Sequence, residues 1–133
     1  MIDFLSGNLV QKKPTHVVIQ TGGIGFQVLI SLNSFDKLPE TGADLQLHTL
    51  LVVREDSLTL FGFVHQEERK IFEQLTQVSG IGPKLALTIL SGLQLNDLAL
   101  AITQGDVKRL SSISGIGKKT AERMVVELRD KLE

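Results

Sequence analysis

Two acids and a handful of cations carry the chemistry available to this chain. Lys84, Lys118, Lys119 and Arg123 follow closely on two glycine-rich turns, and Glu55 and Asp56 stand side by side between apolar runs. The turns are copies of one another. Residues 75–86 read Leu-Thr-Gln-Val-Ser-Gly-Ile-Gly-Pro-Lys-Leu-Ala, and residues 110–121 read Leu-Ser-Ser-Ile-Ser-Gly-Ile-Gly-Lys-Lys-Thr-Ala. Seven of the twelve positions are identical at a constant offset of 35. A dense internal repeat of this kind marks a repeated structural unit. Each copy is an apolar run, a Gly-Ile-Gly turn and a helix with lysine in its first turn, the pattern of a helix-hairpin-helix.

The chemistry of such a unit is phosphate binding. The first N–H groups of a helix lack intrahelical partners, and the helix dipole favours anions at that end. Gly80, Gly82, Gly115 and Gly117 remove side chains, so a phosphate oxygen can approach the backbone. Ile81 and Ile116 are expected to turn inward and pin each hairpin, and they count with the four glycines as DNA-binding residues of the two turns. Pro83 has no N–H, so the first turn must rely on its neighbours. Lys84, Lys118, Lys119 and Arg123 add mobile cations, and Arg123, four residues after Lys119, shares its helix face. The competing reading, a turn between helices and nothing more, is weakened by the matched lysines of the two copies.

Glu55 and Asp56 admit several readings. Asp and Ser are ordinary turn residues, so the residues alone favour a solvated hairpin tip. Catalysis by the pair fails because nothing nearby supplies a third metal ligand. A third reading is electrostatic, two carboxylates repelling phosphates and shaping where nucleic acid can lie. Other motifs are absent. A Walker A loop ending at Gly117-Lys118 would need glycine at 112 and Ser or Thr at 119, where the chain has Ser112 and Lys119. His16, His48 and His65 are scattered in the first half and read as ordinary strand or boundary residues, not metal ligands. The chain has no cysteine, which excludes disulfides and thiolate metal sites. No cofactor is expected.

The elements that must position these residues fall into two halves. Residues 1–65 hold four Lys/Arg against six Asp/Glu, and residues 66–133 hold ten against nine. Neither half is basic, so a nucleic-acid surface must be a local patch. All six Phe fall at or before Phe72, so the second half has no aromatic platform for unpaired bases. The first half carries short β-rich runs at Phe4–Val10, His16–Gln20, Gly25–Ile30, Asp44–Val53 and Leu58–Val64, with a turn at Gly22-Gly23 and a short helix or loop at Leu32–Leu38. Five strands in about 60 residues suggest a small barrel of the oligonucleotide/oligosaccharide-binding type. The second half reads as about five helices: Gln66–Thr76 with Ile71, Phe72 and Leu75 as its apolar stripe and Glu67, Glu68, Arg69, Lys70 and Glu73 elsewhere; a buried helix from Pro83 ended by Gly92; Leu95–Gln104; Val107–Ser112; and Lys118–Leu132, with Ala121, Met124, Val125, Leu128 and Leu132 as its stripe. The expected class is α+β, a five-stranded barrel over residues 1–64 followed by an all-α domain over 65–133 with two helix-hairpin-helix motifs. No apolar run reaches the length of a membrane span, and no secretory signal is visible; the simplest address is the cytoplasm.

Taken together, Val53-Arg-Glu-Asp56, Leu60-Phe-Gly-Phe63, Gly80-Ile-Gly-Pro-Lys-Leu-Ala-Leu87, Ile89-Leu-Ser-Gly92 and Gly115-Ile-Gly-Lys-Lys-Thr-Ala-Glu-Arg123 resemble the bacterial RuvA family over essentially the whole chain. The resemblance implies a non-enzymatic subunit that recognises four-way (Holliday) junctions in recombination and repair. It implies a barrel that builds a homotetramer, or a double tetramer, and hairpins that grip the minor-groove sides of the junction arms. Glu55 and Asp56 would form an acidic pin at the centre, which displaces the solvated-turn reading, and Arg54 would contact DNA near the crossover. The partners implied are the hexameric ATP-driven motor RuvB and the resolvase RuvC. The family continues past a flexible linker into a third helical domain that meets the motor, and this sequence stops at Glu133, where that linker would begin. Junction binding without efficient motor coupling is the corresponding expectation. The alternative is the docking domain of a helix-hairpin-helix repair nuclease or glycosylase.

Overall fold

Alternation of apolar and polar residues builds the first half as strands that each bury one face. A computed structural model describes residues 1–132 and shows β1 (Phe4–Lys12), β2 (His16–Thr21), β3 (Ile24–Leu29), α1 (Leu32–Phe35), β4 (Asp44–Arg54) and β5 (Ser57–Phe63). The strands close into a barrel in the order β1-β2-β3-β5-β4, with β4 returning to β1. All pairings are antiparallel except β3 with β5. This is the five-stranded oligonucleotide-binding-type barrel expected from the sequence. Leu9, Val17, Ile19, Val28 and Leu47 are fully buried at its centre. Closure leaves no edge strand among the five, which removes the usual route to edge-to-edge association. The undecided segment after β3 is a helix of one turn, its N-terminus capped by the Ser31 hydroxyl, which accepts from the Ser34 N–H at 3.1 Å.

The second half is helical: α2 (Gln66–Thr76), α3 (Pro83–Gly92), α4 (Leu95–Thr103), α5 (Val107–Ser111) and α6 (Lys118–Leu132). Phe72 and Leu75 of α2 are fully buried, as are Ala121 and Met124 of α6; Val125 and Leu128 continue the α6 stripe, and Leu132 at its end is half-buried. The helix from Pro83 is less enclosed than its composition suggests. Ala86, Ile89 and Leu90 are buried, while Leu85 and Leu87 are only half-buried. Gly92 is its last residue without entering the left-handed region; a Cβ there would meet Ile113 Cγ2 at 3.3 Å, so its small size serves packing. The end of α4 is closed by two bonds, Gly105 N–H to Ile102 O at 3.2 Å and Asp106 N–H to Ala101 O at 2.8 Å, a Schellman arrangement. Asp106 then caps α5 by accepting from the Arg109 N–H at 3.1 Å.

The chain divides into two compact units, Met1–Arg69 and the remainder from Lys70. The division falls inside α2, beyond the boundary after residue 64 that composition suggested, because the first turn of α2 is bonded into the barrel unit. Glu68, outside the apolar stripe of α2, is nonetheless only 3% exposed. Its carboxylate accepts from the Ser31 hydroxyl at 2.6 Å and from the Ser34 hydroxyl at 2.5 Å. Ser34 in turn accepts from the Val64 N–H at 3.0 Å. A buried carboxylate is tolerated only with such donors. Beside it, Arg69 donates to the Asp3 carbonyl at 2.8 Å and pairs with the Asp3 carboxylate at 2.9 Å. Among the described residues, no single helix is long and apolar enough to cross a membrane.

Candidate nucleic-acid interface

The two Gly-Ile-Gly turns fold alike, position by position. Gly80 has φ +92° and Gly115 has φ +87°, a region L residues rarely adopt. The Ile81 N–H donates to Val78 O at 3.0 Å, and the Ile116 N–H donates to Ile113 O at the same distance of 3.0 Å. Both isoleucine side chains are buried, at 3% and 4% exposure. Neither the side chain nor the N–H of Ile81 or Ile116 is therefore open to a ligand. These residues anchor the turns, as their apolar character suggested.

The open donors come next along the chain. In α3 the first intrahelical bond is Ala86 N–H to Gly82 O at 2.9 Å; in α6 it is Ala121 N–H to Gly117 O at 3.0 Å. Ahead of those bonds stand the N–H groups of Gly82, Lys84 and Leu85 in the first hairpin, and of Gly117, Lys118, Lys119 and Thr120 in the second, which helix geometry leaves without intrahelical partners. No side chain caps Gly82. A Cβ added at Gly82 or Gly117 would meet nothing within 4 Å, so both positions face open space. The four glycines thus divide into two kinds. Gly80 and Gly115 make the turn, and Gly82 and Gly117 leave the approach clear.

The hairpins also cover one another. Arg123, from α6, places Nη1 3.8 Å from where a Cβ on Gly80 would sit. Leu85, from α3, places Cδ1 3.0 Å from the corresponding point on Gly115. Helical spacing alone associates Arg123 with Lys119, and the two do line one shallow surface with Glu122, Val126 and Glu127. What spacing could not show is that Arg123 also stands over the first turn, where Pro83 withholds an N–H. Lys84, Lys118, Lys119 and Arg123 are all exposed. Glu122 and Glu127 are exposed on α6 as well, so the cations beside the second turn have acidic neighbours on the same helix.

In the barrel unit, β4 and β5 pair to the very end of the ribbon, Arg54 opposite Ser57, with Glu55 and Asp56 as the two-residue turn. All four residues are exposed. The turn closes without a non-glycine residue at positive φ. One pair further in, Val53 faces Leu58.

Comparison with known proteins places both units. Residues 1–62 match the model described as the RuvA N terminal domain, and residues 72–130 match the SAM-like helix-hairpin-helix tandem. The chain is 52% identical over 132 residues to a protein of Solibacter usitatus (strain Ellin6076), covering 99% of this chain and 67% of the relative. It is 54% identical over 132 residues to one from Neisseria meningitidis (strain FAM18), covering 99% and 68%. A third relative, from Halorhodospira halophila, is 48% identical over 133 residues, covering 100% and 65%. All three carry the name Holliday junction branch migration complex subunit RuvA.

Proposed function

The chain belongs to the RuvA family, and from that premise we propose that it binds four-way DNA junctions by shape, without reading sequence, and delivers them to a branch-migration motor. The observation that carries this reading is the pair of matched hairpins, each leading into a helix whose first N–H groups have no intrahelical partner, with an open glycine and exposed lysine. Backbone N–H groups and lysines recognise phosphates and carry no base information. Two such sites, packed against one another, offer two backbone contacts to one duplex arm. The DNA contacts proposed are the N–H groups at Gly82 and Gly117, the side chains of Lys84, Lys118, Lys119 and Arg123, and Arg54 on the barrel ribbon.

One pair of hairpins would hold duplex DNA of any kind. Preference for a junction needs several copies acting at once, which a homotetramer of this chain supplies, and a feature suited to the crossover. Glu55 and Asp56 are that feature in this reading. Their charges disfavour phosphates at the tip, so strands entering the crossover are held apart. The chain itself acts without catalysis. ATP hydrolysis belongs to the RuvB motor, resolution to RuvC, and the setting is the cytoplasm during recombination and repair.

The decisive experiment is a gel-shift titration of a four-way junction against linear duplex of the same sequence, at matched ionic strength. A clear preference for the junction is expected. Equal affinity for the two would remove the junction reading and leave a general duplex-binding module.

A further inference from the structure

The β4–β5 ribbon carries an apolar pair that the barrel does not use. Val53 and Leu58 lie directly opposite one another and are 59% and 72% exposed. They belong to the ribbon's inward face. Two pairs deeper, and so on the same face, Leu60 packs against the core and Leu51 opposite it is half-buried; four pairs deeper, a Cβ at Gly62 would press on core residues Val28 and Leu47. The core-facing side of the ribbon therefore runs on past the core by one cross-strand pair. A single exposed aliphatic residue needs no explanation. Here two of them face each other at the end of a ribbon, with Cβ atoms about 4.5–5.5 Å apart by strand geometry, and Val53 is stiff at χ1. They form one ordered patch, bounded by Arg54, Glu55 and Asp56.

We infer that Val53 and Leu58 seat against the flat faces of base pairs left unstacked where strands exchange at the centre of a four-way junction. The inference rests on the junction reading above. Its occupant follows from the patch's surroundings. Two carboxylates at the tip exclude phosphate, so the backbone of the nucleic acid cannot cover the patch. What remains of DNA is the uncharged, apolar face of a base pair, the surface that aliphatic side chains occupy when they wedge into base steps. Inside a linear duplex those faces are stacked and closed. At the crossover the innermost pair of each arm can present one. Arg54, next to Val53 and so on the opposite face of the strand, is placed to take a flanking phosphate.

The test uses the whole chain and a four-way junction carrying 2-aminopurine at the innermost position of one arm, comparing wild type with the double variant V53S/L58S and its apolar counterpart V53I/L58M. Both sites are exposed, so folding is unaffected and thermal unfolding serves as the control. Wild type at saturation is expected to change the 2-aminopurine fluorescence. V53S/L58S is expected to lose most of that change and about fivefold in junction affinity, with linear-duplex affinity and solution mass unaltered, and V53I/L58M to restore both. A fluorescence change in V53S/L58S equal to wild type's would overturn the inference. So would a change in solution mass accompanying the loss, because the patch would then be covered by a second copy. If wild type itself shows no junction preference, the junction reading fails first, and that outcome is recognisable without the variants.

Discussion

Leu85 Cδ1 lies 3.0 Å from the point that a Cβ on Gly115 would occupy, so the helix of the first hairpin closes directly over the turn of the second. Gly115 also has φ +87°. An alanine there is opposed twice, by backbone conformation and by a neighbour that must give way. Gly80, at φ +92°, meets only the mobile end of Arg123 at 3.8 Å. G115A is therefore expected to lose about 1–3 kcal/mol of stability and G80A a smaller amount within the same range. Urea denaturation of the two variants checks the order; a larger loss in G80A would show that Leu85 does not hold the second turn.

Gly82 and Gly117 should behave in the opposite way. Gly82 sits at φ −90°, ψ 177°, a conformation open to any L residue, and neither position has an atom within 4 Å of an added Cβ. G82A and G117A are expected to keep wild-type stability to within about 0.5 kcal/mol. Their added methyl groups stand where a phosphate would approach, so affinity for both duplex and junction should fall several-fold. Loss of stability together with affinity would mean these glycines serve the fold instead of the ligand.

How much of this could be read from the chain depends on whether the physics is local. The strands, the barrel class, the doubled hairpins and the α6 stripe come from periodicity and turn chemistry, which neighbouring residues determine. The division of labour among the four glycines was not legible, because only φ and the surrounding atoms separate a glycine that turns from one that stays open. Arg123 was legible as a companion of Lys119, four residues away, but its place over Gly80 depends on how two helices pack. The burial of Glu68 is not legible for the same reason: it falls outside the apolar stripe of α2, and its two serine partners stand 37 and 34 residues earlier in the chain.

Glu68 supplies a third prediction. Removing its carboxylate strands the hydroxyls of Ser31 and Ser34, both buried. E68A is expected to lose about 1–3 kcal/mol for each donor left without an acceptor, before any cavity effect. E68Q keeps the volume but has one acceptor oxygen where the carboxylate has two, so its loss should be intermediate. Chemical denaturation of the two variants decides it. Equal stability of E68Q and wild type would mean that one acceptor suffices and that the charge contributes nothing.

Lys119 is exposed at the start of α6, on the surface it shares with Arg123. A lysine that neutralises one phosphate contributes about 0.9 to the slope of log affinity against log salt on duplex DNA. K119A should lower the slope by about that amount for every bound hairpin and weaken all sequences alike. Titrations between low and moderate salt measure it. An unchanged slope would place the phosphate contact of the second hairpin elsewhere.

The acidic tip should act oppositely on the two kinds of DNA. Glu55 and Asp56 are exposed at the end of a ribbon that pairs up to Arg54 and Ser57. Any phosphate brought to the tip meets both charges, screened only over about 10 Å at 0.1 M salt. In E55Q/D56N that repulsion is gone while the ribbon and its Arg54 remain. Linear duplex, which wild type should exclude from the tip, is expected to bind more tightly, and the gain should shrink as salt rises. The junction gains less, because its crossover is already arranged to avoid the charges, so the ratio of junction to duplex affinity should fall. Gel-shift ratios at two ionic strengths measure this directly. A ratio that stays constant at both would return Glu55 and Asp56 to the plainer role of a solvated turn, and junction preference would then have to come from the arrangement of the hairpins alone.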